Sequence, residues 1–210
     1  SRVGNVDQSI RSLDLMAGSL DCLVRWFYKT KEAMGEEAAL KMAQDIWEMW
    51  LRLVQGLRKV CVDQREEVRN HAILMLQRCL TAAEVMHIPV GLWLQCFDLV
   101  IFTLLDDLVE IAQQHSAKDY RNMEGTLVLS LKLLSKVFLQ LLHDVSQLAS
   151  FSELWSRVLS CMERYMKVKF RGKRSEKIHE LVPELLKNTL LIMKSSGLLV
   201  PSEEDNFWQL

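Results

Sequence analysis

The sequence predicts an all-α protein in which antiparallel helix pairs stack into a superhelix. Three observations lead to this fold class. Over most of the chain, apolar residues recur at alternating steps of three and four, which places them on one face of an α-helix. Glycine (8) and proline (3) are scarce among the 210 residues. No stretch sustains the apolar-polar alternation of a strand. We expect about seven helices, each roughly 16 to 28 residues long.

Five stripes of apolar residues mark the clearest helices, at residues 10–27, 40–61, 94–111, 127–148 and 154–168. Additional apolar residues such as Ile46, Leu53 and Leu105 widen the stripes. A broad stripe is typical of a helix with several neighbours, whereas a two-stranded coiled coil has a narrow one. The pattern therefore favours a stacked array.

Polar breaks separate the predicted helices. Residues 29–37 contain Gly35, residues 82–91 contain Pro89, and residues 113–122 are polar and charged. Glycine and proline in these positions stop one helix before the next begins. We expect residues 1–196 to form a single array and residues 197–210 to form an acidic C-terminal tail.

The sequence also suggests where individual helices begin. Ser150 with Glu153, and Asp63 with Glu66, have the spacing of a capping residue and its partner three positions later. Pro183 lies within an apolar helical pattern. It predicts either a kink in the last helix or the first position of that helix's second half.

The helix after Asp63 resembles the second half of a HEAT repeat. The resemblance rests on Asp63, then Val68 and Arg69, then Ala72 and Leu76. It implies a HEAT- or armadillo-like superhelix in which Asp63 and Arg69 are structural residues that bond neighbouring helices. Only one copy of the pattern is clear, and no fixed repeat period is visible.

Composition excludes several classes of protein. The chain is 50% hydrophobic and 25% charged with a net charge of −1, which is too apolar for disorder and too neutral for a general nucleic-acid binder. We expect no transmembrane segment, since no apolar run reaches roughly 18 residues. The start lacks an initiator Met and a signal pattern, so we expect a segment of a longer, cytoplasmic chain.

No candidate catalytic, cofactor or metal residues emerge. The five cysteines form no CxxC pair and the five histidines are scattered, so free buried thiols are expected and no zinc site. Residues 60–80 gather Asp63, Glu67, Arg69 and His71, which could begin an active site. No nucleophile with partners and no phosphate-binding glycine loop accompanies them. We expect His71 to have a solvated or inter-helix role.

One charged segment stands out. Between residues 164 and 177, seven basic residues face a single acidic residue, Glu176. The basic residues are Arg164, Lys167, Lys169, Arg171, Lys173, Arg174 and Lys177. Gly172 predicts a turn, so the cluster is expected at a corner between helices. Three interpretations remain open: a solvated loop, an anionic-lipid patch, or a docking site for an acidic protein surface. Asp106, Asp107 and Glu110 are expected on a solvated helix face rather than around a metal.

Four long blocks carry a family resemblance. Residues 45–80, 92–112, 119–142 and 162–194 are similar to the C-terminal helical region of large Arf guanine-nucleotide exchange factors of the GNOM type, particularly the plant members. The resemblance implies a protein that activates Arf GTPases at Golgi or endosomal membranes and drives vesicle coat recruitment. In that family an exchange domain N-terminal to the helical regions acts through a glutamate, and none of its motifs occurs here.

The resemblance therefore implies a non-catalytic module for membrane recruitment, autoregulation and partner binding. Expected partners are other regions of the same exchange factor, Arf-pathway proteins and an anionic phospholipid surface. The expected location is the cytoplasmic side of Golgi or endosomal membranes, peripherally bound. The alternative is a HEAT-type scaffold or transport adaptor unrelated to Arf.

Overall fold

The structure, a computed structural model, describes residues 2–114 and 119–199 and is almost entirely helical there. The elements are α1 (Arg2–Ala33), α2 (Glu36–Val60), α3 (Glu66–Thr81), a 3₁₀ turn (Ala82–Met86), α4 (Val90–Cys96), a π turn (Phe97–Ile101), α5 (Phe102–Gln113), α6 (Met123–Ser146), α7 (Phe151–Met166), β1 (Lys169–Phe170), β2 (Lys173–Arg174) and α8 (Glu176–Ser195). Because α4, the π turn and α5 continue without a break, the described residues form seven helical rods, as predicted.

The rods stack in two layers. One layer contains α1, α3, α6 and α8 in that order, each packed against the next. The other contains α2, the rod from α4 to α5, and α7. Consecutive helices pack across the layers, as α1 does on α2 and α5 on α6. Two layers of paired helices are the all-α array that the apolar stripes predicted.

Helix α6 lies at the centre of this stack. It packs against α3, α5, α7 and α8, and its buried side chains include Leu127, Leu134 and Phe138. Among the described residues, α6 is the one helix with the length and composition of a membrane span. In the most apolar 18-residue stretch of α6, 61% of the residues are buried inside the protein. The core position of α6 therefore accounts for its hydropathy.

Aromatic packing joins α2, α3 and α4. Trp50 of α2 is fully buried, and its indole Nε1 donates to the carbonyl oxygen of Cys79 in α3 at 3.1 Å. Its ring and that of Trp93 in α4 pack in a T-shaped arrangement, with 4.8 Å between the ring centroids. A buried tryptophan needs this kind of hydrogen-bond partner for its one polar atom.

The expected helix breaks lie where the sequence placed them, but two of the caps differ. Helix α3 begins at Glu66, two residues later than a cap at Asp63 would require. The Asp63 carboxylate instead accepts from the backbone N–H of Arg65 at 2.9 Å and from the Arg65 guanidinium. The prediction of Asp63 as N-cap is therefore wrong, because Arg65 holds that carboxylate in the turn.

Ser150 does precede α7, but its side chain makes no capping bond and its backbone is not extended (φ −85°, ψ 7°). Ser175, which the sequence did not single out, caps α8 by accepting from the backbone N–H of Ile178 at 3.2 Å. Pro183 lies inside α8, which continues from Glu176 to Ser195. The alternative that Pro183 begins a separate helical half is therefore wrong.

The end of α8 is closed by a turn. Gly197 has a φ of +75°, the N–H of Leu198 donates to Met193 O, and the N–H of Gly197 donates to Lys194 O. This is the Schellman arrangement, for which glycine is favoured. Leu198 and Leu199 pack against the core. The rest of the predicted tail, residues 200–210, lies outside the described residues.

Four of the five cysteines are buried free thiols, and Cys22 is exposed, so the expectation of burial is wrong for Cys22. Burial raises the pKa of the Cys79 thiol to about 11 and the pKa of the Cys161 thiol to about 12. These thiols remain protonated near neutral pH, and the protonated form is a poor nucleophile.

Candidate functional site

The segment between α7 and α8 is a short β-hairpin. β1 and β2 pair antiparallel, with Lys169 opposite Arg174 and Phe170 opposite Lys173. The two loop residues, Arg171 and Gly172, have φ values of +52° and +78°. Two successive positive φ values are typical of a type I′ turn, whose twist matches that of the flanking strands. The turn predicted at Gly172 thus takes the form of a hairpin tip.

The structure brings the seven basic residues together on this corner. Arg164 lies in the last turn of α7, Lys167 follows that helix, and Lys177 lies in the first turn of α8. The other four belong to the hairpin. All seven side chains are exposed. The sequence thus located a cluster that is also a cluster in space.

Two of the seven are already paired. Arg164 Nη1 lies 2.5 Å from Asp106 Oδ1 of α5, and Lys167 Nζ lies 2.9 Å from Glu163 Oε1. Within the part of the chain that the structure describes, the remaining five make no ion pair. Their side chains are exposed, so their positive charge faces solvent.

The acidic segment at residues 104–111 lies on a solvated helix face, as expected, with the Asp106 and Asp107 side chains 55% and 42% exposed. Asp106 pairs with Arg164 of α7, and Asp107 Oδ2 lies 3.3 Å from Arg58 Nη1 of α2. Each aspartate therefore joins α5 to a different helix of the same layer. The two adjacent carboxylates therefore have separate partners.

Hydrogen bonds attach the basic corner to the core. Ser175 Oγ donates to Glu124 Oε1 of α6 at 2.5 Å while it caps α8. His179 Nε2 lies 3.0 Å from the carbonyl oxygen of Met166 in α7. Phe170 is half-buried against the core. The hairpin is therefore held against α6 and α7 from both of its ends.

Arg69 forms a second polar centre, at the opposite end of α3 from the 3₁₀ turn. Its side chain is fully buried. Nε donates to Thr126 Oγ1 at 2.9 Å, and Nη2 donates to the carbonyl oxygen of Arg121 at 2.7 Å. Nη1 donates to the carbonyl oxygens of Asp63 and Gln64, both at 3.1 Å. These bonds connect the α2–α3 turn to the loop before α6.

The charge on Arg69 is stabilised by these acceptors and by the face of Tyr120, whose ring centroid lies 5.7 Å from the guanidinium carbon. Burial lowers the pKa of Arg69, and the nearby Glu66 carboxylate opposes that effect. Asp63 contributes its carbonyl oxygen to Arg69, while its carboxylate binds Arg65. The hydrogen bond from Arg65 lowers the pKa of Asp63.

The polar residues of the 60–80 stretch do not converge on one site. Arg69 reaches α6, while His71 Nε2 lies 2.6 Å from Asp14 Oδ1 of α1. Asn122, which directly precedes α6, donates through Nδ2 to Glu66 Oε1 of α3 at 2.6 Å. The side chains bind either α1 or the start of α6, so the cluster that looked catalytic in the sequence is divided between two inter-helix contacts.

Within the described residues, a cleft lies between the basic hairpin on one side and the end of α5 with residues 120–124 on the other. Arg121 lines one wall, and Lys167, Lys169 and Arg171 line the other. Tyr120 and Phe170 also line it. Sequence reasoning missed Arg121, because only the tertiary structure places it near the hairpin.

The fold and these surfaces define a helical-repeat module whose candidate site is a charged corner. Among residues 2–114 and 119–199, no three metal-ligating side chains come close enough to hold an ion. The polar centres of the described residues bind neighbouring helices, and the basic corner is directed outward.

Comparison with known proteins places the module in a family. Residues 50–210 match the family described as a GBF1-like tetratrico peptide repeat region. The chain is 60% identical to the ARF guanine-nucleotide exchange factor GNOM and 54% identical to the exchange factor GNL1, both of Arabidopsis thaliana, over its whole length. It is 34% identical, over 93% of its length, to a Golgi-specific brefeldin A-resistance guanine nucleotide exchange factor 1 homolog of Caenorhabditis elegans. No solved structure matches.

The chain belongs to the GBF1-like helical-repeat region of the GNOM-type Arf guanine-nucleotide exchange factors. This confirms the predicted resemblance and the all-α array, and the family description assigns the repeats to the tetratricopeptide type. The chain spans only 15% of the length of GNOM and of GNL1. These relatives give no support to the alternative of a HEAT-type scaffold or transport adaptor unrelated to Arf.

Proposed function

We propose that this segment is a non-catalytic interaction and membrane-recruitment module of a large Arf guanine-nucleotide exchange factor. The observation that carries the proposal is the basic corner, where seven exposed cations gather between α7 and α8. The anionic cytoplasmic surface of a Golgi or endosomal membrane is the partner that this charge fits. The word Golgi in the name of the Caenorhabditis elegans relative supports this location.

The two-layer stack suits such a role because it presents the corner on a rigid support. Lys169 and Arg174 are paired across the hairpin, and Ser175 ties the corner to α6. Cations on a preorganised element lose less conformational entropy on binding than cations on a flexible loop. The remaining exposed surfaces would be available to other regions of the exchange factor and to Arf-pathway proteins.

Sedimentation with vesicles tests the recruitment role. We expect the protein to bind phosphatidylcholine vesicles that contain anionic lipid and to bind pure phosphatidylcholine vesicles weakly. Binding should weaken as salt is raised, because salt screens exposed charges. Changing Lys169, Arg171, Lys173 and Arg174 to Glu should abolish it, since each basic residue contributes roughly fivefold to affinity at such a surface.

A control with two charge reversals instead of four changes Lys132 and Lys136 to Glu. Both are exposed lysines of α6 that lie outside the corner, so this variant should bind like the unmodified protein. Equal binding to neutral and anionic vesicles, or no binding to either, would contradict the recruitment role. Retention of binding by the hairpin variant would do the same.

The non-catalytic part of the proposal has its own test. The purified segment should leave the rate of nucleotide exchange on an Arf GTPase unchanged. Acceleration of exchange by the segment alone would contradict the assignment of catalysis to another part of the parent protein.

A further inference from the structure

We propose that the cleft between the basic hairpin and the loop before α6 binds one phosphomonoester-bearing lipid headgroup. This inference rests on the proposed membrane role and makes it specific: the corner would select a phosphorylated headgroup rather than respond to negative charge alone. The cleft's basic residues come from two separate parts of the chain, and only one of those parts is in the cluster that the sequence reveals.

The charge balance of the cleft favours a multiply charged anion. Its described lining contains four basic side chains, Arg121, Lys167, Lys169 and Arg171, and one acidic side chain, Glu124. The Glu124 carboxylate already accepts a hydrogen bond from Ser175 Oγ at 2.5 Å. Lys167 is paired with Glu163 in an exposed i,i+4 contact, which is weak enough for the ammonium to turn toward a phosphate.

The cleft has room for a lipid headgroup. Its described walls leave a space of about 1200 Å³, above the ~300–1000 Å³ of most small-molecule sites. A phosphomonoester presents several oxygens in one place, and a guanidinium can bind two of them at once. Arg121 and Arg171 both line the cleft and supply this kind of donor from two separate parts of the chain.

Both walls are held in place. The carbonyl oxygen of Arg121 accepts from Arg69 Nη2 at 2.7 Å, and the Tyr120 hydroxyl donates to Val62 O at 3.2 Å. On the other wall, the hairpin loop is fixed by the pairing of Phe170 with Lys173. The N-terminus of the 24-residue helix α6 borders the cleft, and its partial positive charge adds to the attraction for an anion.

The residues around the cleft favour a headgroup within a lipid membrane over a soluble phosphate ligand. Lys173, Arg174 and Lys177 lie on the same exposed corner but do not line the cleft. A headgroup within a membrane would let these three contact the surrounding anionic surface at the same time. A free phosphate group in solution would leave them without a role.

The test compares vesicles of equal surface charge. One set contains a phosphatidylinositol monophosphate in phosphatidylcholine, and the other contains phosphatidylserine in phosphatidylcholine. The cleft predicts roughly tenfold tighter binding to the first set, the ratio that one additional charge-assisted hydrogen bond gives. The soluble headgroup, an inositol bisphosphate, should compete for binding to the first set and have little effect on the second.

Two single-charge variants separate the cleft from diffuse attraction. Arg121→Gln and Arg174→Gln each remove one exposed cation, but only Arg121 lines the cleft. We expect Arg121→Gln to lose the preference for the phosphoinositide vesicles and Arg174→Gln to keep it. Helical content measured by circular dichroism should be the same for both variants.

The outcomes distinguish this inference from the broader proposal. Equal losses in the two variants, with equal binding to both vesicle sets, would overturn the cleft and leave the recruitment role standing. No binding to any anionic vesicle, together with no binding to the inositol bisphosphate, would overturn both. Tight binding of the inositol bisphosphate without vesicle binding would overturn the lipid source and assign the cleft to a soluble phosphate.

Discussion

At the scale of single residues, Arg69 shows how a charged side chain can hold a scaffold together. A buried guanidinium is costly unless its donors are satisfied. Here four carbonyl or hydroxyl oxygens from two separate parts of the chain satisfy it, those of Asp63, Gln64, Arg121 and Thr126. The same contacts position Arg121, so this junction also shapes one wall of the cleft.

Removal of the guanidinium should therefore destabilise the whole protein. We expect Arg69→Met to lower the free energy of unfolding by about 3 kcal/mol, because it leaves buried acceptors without donors. Arg69→Lys should lose less stability, because lysine keeps the positive charge although it supplies only one donor group. Urea unfolding followed by circular dichroism measures both.

The control is Arg78→Met. Arg78 pairs with Asp21 at 3.8 Å, and both side chains are more than half exposed. Exposed pairs contribute little, so this variant should stay within about 0.5 kcal/mol of the unmodified protein. Equal stability of the Arg69 and Arg78 variants would contradict the role assigned to the junction.

At the scale of elements, the hairpin shows how local backbone geometry presents charge. Gly172 has a φ of +78°, and a Cβ added there would meet no atom within 4 Å. Any effect of a substitution would therefore come from the backbone conformation and not from crowding. Gly18 lies inside helix α1, where an added Cβ also has open space. The two glycines form a matched pair with opposite backbone requirements.

The same substitution should therefore have opposite effects at these two positions. Gly172→Ala should cost about 1 kcal/mol, because alanine disfavours a left-handed backbone. Gly18→Ala should stabilise the protein by roughly 0.5–1 kcal/mol, because alanine favours a helix. Thermal unfolding measures both, and Gly172→Asn should restore much of the loss, since asparagine tolerates a positive φ. A stabilising effect of Gly172→Ala would contradict the type I′ assignment.

At the scale of the whole molecule, α6 connects the two layers. It contacts one neighbour on each side in its own layer, α3 and α8, and both α5 and α7 in the other. A cavity at its centre should therefore loosen both layers together. The molecule is expected to unfold as one cooperative unit rather than as independent halves.

Leu134→Ala tests this expectation. Leu134 is fully buried in α6, so its truncation should cost about 2–5 kcal/mol and shift a single unfolding transition. Leu15→Ala, at a position that is 77% exposed on α1, should leave the midpoint nearly unchanged. Two separate transitions, of which only one moves in Leu134→Ala, would contradict a single cooperative core.

Much of the fold was predictable because helix periodicity is a local property. The breaks near Gly35 and Pro89 follow from backbone preferences that act within a few residues. The role of Asp63 was not predictable, because its carboxylate could accept hydrogen bonds either from the helix N-terminus or from Arg65. Similarly, the pairing of Asp106 with Arg164 depends on how α5 and α7 lie against each other.

The sequence by itself determined the all-α array, the family and the location of the basic cluster between residues 164 and 177. Each of these follows from residues that are close together in the sequence: the array from helical periodicity, the family from long similar blocks, and the cluster from local charge. Only the tertiary structure decided which basic residues are paired, what Arg69 binds, and that Arg121 faces the hairpin across a cleft. Those outcomes depend on the packing of helices that are distant in the chain, and no local pattern specifies which side chains that packing brings together.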